Sequence, residues 1–166
     1  MTPSLIRPTA WAGVFFCALM MTVALVLEHV VGLEPCPLCI FQRVAVIAAG
    51  IVLLIAALHN PKGAVGKSVY GVLGLIAVGT GAFIAGRHVW LQSLPPSEVP
   101  SCGPGLDYMM EILPMQDVVA MVLTGSGECA EIDFTFLGLS LPGWTLIGFV
   151  ILAIAPLRML WLAYKR

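Results

Sequence analysis

Residues 39–58 read CIFQRVAVIAAGIVLLIAAL, with a single charge, Arg43, close to the start and none after it. A bilayer core of about 30 Å takes roughly 17–25 apolar helical residues, and this run has that length. It does not alternate between apolar and polar positions, so it reads as a helix and not as a barrel strand. Those are the two structures that lipid tolerates, because it offers no partners to open backbone. Three further runs match it: Trp11–Leu27, Val69–Gly86 and Leu139–Leu157, the last interrupted early by Pro142 and Gly143.

The composition agrees. Of 166 residues, 60% are hydrophobic and 10% charged, and the mean hydropathy is +1.01. A soluble domain is about 45–50% apolar and about 25% charged, so a fold this apolar has too few polar groups to cover its surface. Eight Lys and Arg against nine Asp and Glu leave a net charge of −1 and no basic face for nucleic acid. The first run is longer than a signal-peptide core and no A-x-A-like site follows it, so it is expected to be a retained span. The expected architecture is one all-α integral membrane domain over residues 1–166, an antiparallel bundle of four transmembrane helices.

Charge sets the expected orientation. Arg7, Lys62, Lys67, Arg158, Lys165 and Arg166 fall on one side of the four spans, and the positive-inside rule makes that side cytoplasmic, with both termini. All nine acids fall on the other side, in a short loop of about residues 28–38 and a long one of about 87–143.

Four of the five cysteines share that acidic side: Cys36 and Cys39 at the end of the short loop, and Cys102 and Cys129 in the long one. Disulfides persist outside the cytosol. Four cysteines allow three connectivities, and the two-residue gap between Cys36 and Cys39 favours that pair as one bridge. Such a bridge closes almost no loop and so hardly constrains the unfolded chain; it suits thiol exchange. Cys102 and Cys129, taken alone, fit a structural staple of about 3–4 kcal/mol. A four-thiol zinc site is disfavoured by an oxidising compartment and by the spacing of the second pair, so no metal is expected. Cys39 falls near the first turn of the second span, where free N–H groups and the helix dipole favour an anion. Arg43 lies one turn on along the same face and favours thiolate; snorkelling to the headgroups is the plainer reading of an arginine there.

The stretch Pro35-Cys36-Pro37-Leu38-Cys39-Ile40-Phe41-Gln42-Arg43 resembles the signature of the DsbB family of membrane disulfide oxidoreductases. The likeness continues through Cys102, through Gly125-Ser126-Gly127-Glu128-Cys129-Ala130-Glu131, and through Phe136–Trp144 entering the last span. The resemblance implies a bacterial inner-membrane protein with its redox loops in the periplasm, working in the family's circuit between DsbA and quinone. It implies that a DsbA-like thioredoxin-fold partner attacks a Cys102–Cys129 disulfide at Cys102, and that Cys36–Cys39 reoxidises that pair through a transient Cys36–Cys129 bridge. Electrons then leave from Cys39 to a membrane quinone (ubiquinone or menaquinone), with Arg43 stabilising the charge. A DsbA-like partner at about −120 mV lies above ordinary redox disulfides at about −180 to −270 mV, an uphill gap of about 3–7 kcal/mol. Either the disulfides here are unusually oxidising or a stronger acceptor pulls. No GxGxxG or CxxCH motif points to a flavin or haem.

His88, at the end of the third span, is a candidate to hydrogen-bond a quinone carbonyl; an interfacial cap is its plainer role, and Arg87 ranks below it. Ala77, Gly81 and Ala85 form a small-residue stripe read as a packing face. Cys17, alone within the first span, is read as an inert buried thiol, and His29 and His59 as solvated. Residues 113–122 are expected to form a short amphipathic helix on the membrane surface, and the Pro/Gly-rich chain around Cys102 to lack regular structure. The rival to the enzyme is a four-span scaffold with disulfide-braced loops; a transporter ranks last, with no charge deep in a span.

Overall fold

The computed structural model describes residues 5–101, 106–132 and 134–165. Four of its helices are long and apolar enough to cross a membrane. They are α1 (Ile6–His29), α2 (Pro37–His59), α3 (Ala64–Gln92), and a fourth rod made of two segments. Between α3 and that rod the described residues form three short helices, α4 (Leu106–Ile112), α5 (Met115–Thr124) and α6 (Gly127–Ala130), and a hairpin of β1 (Thr135–Phe136) and β2 (Leu139–Ser140). The rod follows as α7 (Leu141–Leu152) and α8 (Ile154–Tyr164). Only 17% of the apolar window of α1, and 33% of each of the other three, is buried inside the bundle. The outward remainder is apolar surface that water would not tolerate, as expected of helices that meet lipid.

All four expected spans are present, each longer than its apolar run. Helices α2 and α3 are joined by a four-residue turn, residues 60–63, in which Asn60 takes the left-handed conformation (φ 46°) that ends α2. At 29 residues, α3 is about 43 Å long at 1.5 Å per residue and overshoots a bilayer core, carrying Arg87, His88 and Gln92 in its last turns. The expected fourth span, 139–157, is corrected at both ends: residues 139–140 belong to the hairpin, and helix continues to Tyr164 with a break at Ala153. Pro156 accounts for the break, since it has no N–H to give the Leu152 carbonyl and its ring crowds that carbonyl. The hairpin itself turns through Leu137 (φ 50°) and Gly138 (φ 79°), the two successive positive-φ residues of a tight primed turn.

Small residues let the helices approach. α3 packs on α2, α7 and α8, and α1 packs on α2. The interfaces are lined by Ala45, Ala49, Ala56, Ala57 and Ala85, with Phe149, Leu53 and Met159 filling the space between them. The stripe expected on α3 is in that interface: Gly81 lies against Phe149 so closely that an added Cβ would sit 2.2 Å from the ring. Cys17 is buried in the same core, with its side chain against Gly50.

The expected surface helix is α5. Val118 and Val122, one turn apart, are buried, while Met115 and Met121 are exposed. The helices α4 and α6 had no counterpart in the sequence reading. The chain between α3 and α4 has turns but no regular element over residues 93–101; residues 102–105, and with them the expected irregular chain at Cys102, lie outside the described residues. Replacing Gly81 by Val should overpack the α3–α7 contact and cost about 1–3 kcal/mol, read as a lower melting temperature in detergent. An unchanged melting temperature would show that the two helices do not meet there.

Candidate active site

Cys36 is the N-cap of α2, with extended backbone (φ −65°, ψ 162°), and Pro37 is the first helical residue, where a missing N–H costs nothing. The Cys-Pro-x-Cys sequence therefore starts the helix where it must start, and sets Cys39 in the first turn over the unpaired N–H groups. The two half-buried thiols are free, with their sulfurs 3.2 Å apart. A disulfide needs about 2.05 Å, so the two sulfurs must approach by about 1 Å to close the bridge.

His88 is brought to them by α3. It is 3% exposed, with Nε2 3.8 Å from the Cys36 sulfur and Nδ1 3.9 Å from the Cys39 sulfur. Gln42, also 3% exposed, lies one turn below Cys39, and its amide Nε2 is 3.2 Å from His88 Nδ1. A buried polar side chain has to find a partner; here Gln42 and His88 satisfy each other and so fix the plane of the imidazole. The importance of His88 is thus greater than its terminal position in the third span conveys, and Gln42, quoted only as part of the motif, is a site residue that sequence reasoning missed.

Cys129 comes from the far side of the loop. It lies on α6, 1% exposed, 3.6 Å from Ser126 Oγ. A hydrogen bond with the Cys36 side chain, then burial, hold its thiol well above the ordinary cysteine range, while the Leu38 N–H at the tip of α2 works in the opposite sense. Three of the four expected redox cysteines are therefore in one cluster. Cys102 lies outside the described residues, but its neighbour Ser101 accepts a hydrogen bond from Gly127 N–H (3.3 Å), which ties the chain leading to it onto the α6 turn.

The loop is seated by a second apolar cluster. Leu38 of α2, Ile84 and Leu91 of α3, Met109 of α4, Val118 and Val122 of α5 and Cys129 itself are all buried together. Gly125 permits the closest approach: its φ is +89°, and a Cβ would stand 2.4 Å from Leu91. Arg87 pins the last turn of α5, donating from Nε to Leu123 O (3.2 Å) and from a terminal nitrogen to Thr124 O (2.9 Å), with its guanidinium 4.1 Å above the Trp90 ring. That satisfies the free carbonyls of a helix end with a cation. Arg87 is thus a loop anchor.

Arg43 behaves differently from a bare cation beside a thiol. Its guanidinium is ion-paired with Glu28 of α1 and reaches the Ala24 carbonyl at 3.5 Å. Glu28 is the second residue that sequence reasoning passed over; fifteen positions separate the partners, beyond the reach of any helical periodicity. Arg43, Glu28, Cys36, Cys39, Gln42 and His88 all line one cavity of about 360 Å³. Its remaining walls are largely apolar side chains of α1 and α7, among them Leu19 and Val23, which are also exposed on the outer surface of α1 (57% and 50%).

The family model described as Disulfide bond formation protein DsbB matches residues 6–159. The chain belongs to the DsbB family. Disulfide bond formation protein B of Chromohalobacter salexigens is 59% identical over 93% of this chain and 90% of its own. The protein of the same name from Acinetobacter baumannii is 57% identical over 87% and 84%, and that from Nitrosococcus oceani 51% over 92% and 89%. The resemblance drawn from the CPLCIFQR stretch therefore holds over nearly the whole chain. This is a multi-pass membrane protein of disulfide bond formation.

Since the raised pKa keeps Cys129 protonated at neutral pH, its alkylation in the fully reduced protein should go on accelerating above about pH 9.5, where an ordinary cysteine of pKa about 8.5 has levelled off. Cys36→Ala removes the largest cause and should move the midpoint of the Cys129 pH profile down. Mass spectrometry of the Cys129 peptide reads this directly; a profile unaffected by Cys36→Ala would mean that the two thiols are not in contact.

Proposed function

We propose that the protein is a dithiol:quinone oxidoreductase of the bacterial inner membrane that reoxidises a DsbA-like partner in the periplasm. One observation carries this reading: the Cys36 and Cys39 sulfurs and a buried histidine meet at an apolar cavity reachable from the lipid-facing surface of α1, with the Cys129 thiol against Cys36 behind it. A structural brace needs neither the histidine nor the cavity. Such a cavity suits a quinone, whose ring and isoprenoid tail are apolar and whose carbonyls need donors. His88 and Arg43 would supply those donors, and the apolar α1 and α7 walls would hold the tail.

The relay conserves electrons at each step. A thiolate of the partner attacks Cys102 of the Cys102–Cys129 disulfide; a mixed disulfide forms and Cys129 leaves. The Cys129 thiolate then attacks Cys36, making Cys36–Cys129 and releasing Cys39 as thiolate. The second thiol of the partner resolves its bond to Cys102, which frees an oxidised partner. Cys102 next attacks Cys129, which restores their disulfide and leaves Cys36 and Cys39 reduced. A quinone, as substrate, accepts two electrons and two protons, and Cys36–Cys39 closes again.

The residues are suited to their turns. A sulfur with a raised pKa is a strong nucleophile once deprotonated, and exchange is fastest when the leaving thiol is the better anion. Burial, a cause of the raised Cys129 pKa that persists when Cys36 is bonded to Cys39, gives Cys129 the first property. Cys39, in the first turn of α2, has the helix N-terminus to favour its departure. Glu28 restrains Arg43 at the cavity wall and moderates its charge, so that the cation serves the acceptor without becoming a general anion trap.

With the reduced partner and a soluble quinone, Cys36→Ser and Cys39→Ser should each abolish the loss of quinone absorbance while the protein still inserts. Undiminished turnover in both variants would return the molecule to the class of disulfide-braced scaffolds. Arg43→Ala should raise the KM for quinone at least several-fold with partner binding unchanged; equal quinone dependence in variant and wild type would remove Arg43 from this role.

A further inference from the structure

The cluster of Cys36, Cys39 and His88 has the ligand set of a metal site as well as that of a redox site. We propose that, with its thiols reduced, the cluster binds one thiophilic divalent cation of the zinc class, with Cys129 as fourth ligand, and that the bound ion holds the enzyme in its reduced state. The site goes beyond the reading above, because it needs neither quinone nor partner.

The geometry carries it. One ligand atom from each of Cys36, Cys39 and His88 lies within 4.8 Å of the others. A tetrahedral zinc with Zn–S of about 2.3 Å and Zn–N of about 2.0–2.1 Å sets sulfur–sulfur distances of about 3.8 Å and sulfur–nitrogen distances of about 3.6 Å. The cluster offers 3.2 Å between sulfurs and 3.8 Å from Cys36 Sγ to His88 Nε2, so these two distances lie within about 0.6 Å of the tetrahedral values. Cys129 packs beside Cys36 in the same buried cluster and would move in as the fourth ligand of a Cys₃His set. The two-residue spacing of Cys36 and Cys39 is that of structural zinc pairs. The four-cysteine site set aside from the sequence lacked the histidine, which arrives from another helix.

The surroundings of His88 fit as well. A metal-bound histidine gives its other ring N–H to an oxygen that fixes the tautomer. Gln42 occupies that position at Nδ1; with its amide turned to present oxygen it accepts Nδ1–H and leaves Nε2 for the ion. His88 and Gln42 are both 3% exposed, so the imidazole is held and need not be recruited. Binding releases the thiol protons of the ligating cysteines to solvent and transfers no electrons. It requires sulfur anions, so a Cys36–Cys39 disulfide cannot bind the ion, and the ion competes with oxidation of the pair.

The test uses the full-length protein in detergent, reduced and freed of reductant under anaerobic conditions, and titrated with Cd²⁺ or Co²⁺. The expected result is one ion per chain, with sulfur-to-cadmium charge-transfer absorbance or the visible bands of tetrahedral cobalt, displaced by Zn²⁺ and absent from the oxidised protein. Cys39→Ser should abolish the signal; Gln42→Ala, which leaves every ligand in place, should weaken binding about 10–100-fold; Cys17→Ser should change nothing. No saturable signal would overturn the proposal. So would full binding by a Cys36→Ser/Cys39→Ser double variant, since the ion would then sit elsewhere. Quinone turnover in chelator-treated buffer reads the proposed function separately, so either reading can fail without the other.

Discussion

The site depends on a hydrophobic contact outside the four-helix core. Leu38, Ile84, Leu91, Met109, Val118 and Val122 bury one another where the long loop meets the tips of α2 and α3. Each such side chain contributes about 1.5–3 kcal/mol when removed from water. Their combined effect fixes where α6, and therefore Cys129, comes to rest. Without it Cys129 would be tied to the bundle only by polar contacts, such as Gln92 Nε2 to Glu131 O (3.2 Å), and by the chain itself. The contact has little tolerance on one side: Gly125 is pressed on Leu91 in a backbone conformation that side chains rarely adopt, so the seat is built for one register of the loop. Arg87 adds a charged clasp to the same helix end.

That seating makes the cluster asymmetric. Cys129 is buried and basic, facing the extended cap residue of α2, whereas Cys39 sits within the first turn and faces the cavity with Gln42 and His88. An exchange that starts at Cys129 and ends at Cys39 therefore runs from the sulfur that holds its proton most firmly to the one at a helix N-terminus. The same arrangement makes the reduced state attractive to a soft cation, so a site shaped for exchange carries a built-in susceptibility to metal.

Much of the fold was legible because its strongest signal is local: uninterrupted apolar runs of bilayer length, separated by charge. Their ends were less legible. Apolar content marks the segment that lipid covers, but helix continues for as long as the backbone allows, as at Arg87–Gln92 and Leu157–Tyr164, and the break at Ala153 follows from Pro156 alone. The site was legible where chemistry is written in a short motif, as with Cys36 and Cys39 at the start of α2. Pairings across the bundle left no such trace. Glu28 was one of nine acids on one side, Gln42 a motif letter and Arg87 a minor ligand candidate; each role is set by a partner on another element.

The central claim is that loop packing holds Cys129 against Cys36. The most direct measurement is peptide mapping, under non-reducing conditions, of a Cys39→Ser/Cys102→Ser double variant after mild oxidation in the membrane. The account predicts near-complete formation of a Cys36–Cys129 crosslink within single chains. Recovery of both cysteines as free thiols, or of crosslinks only between chains, would contradict it.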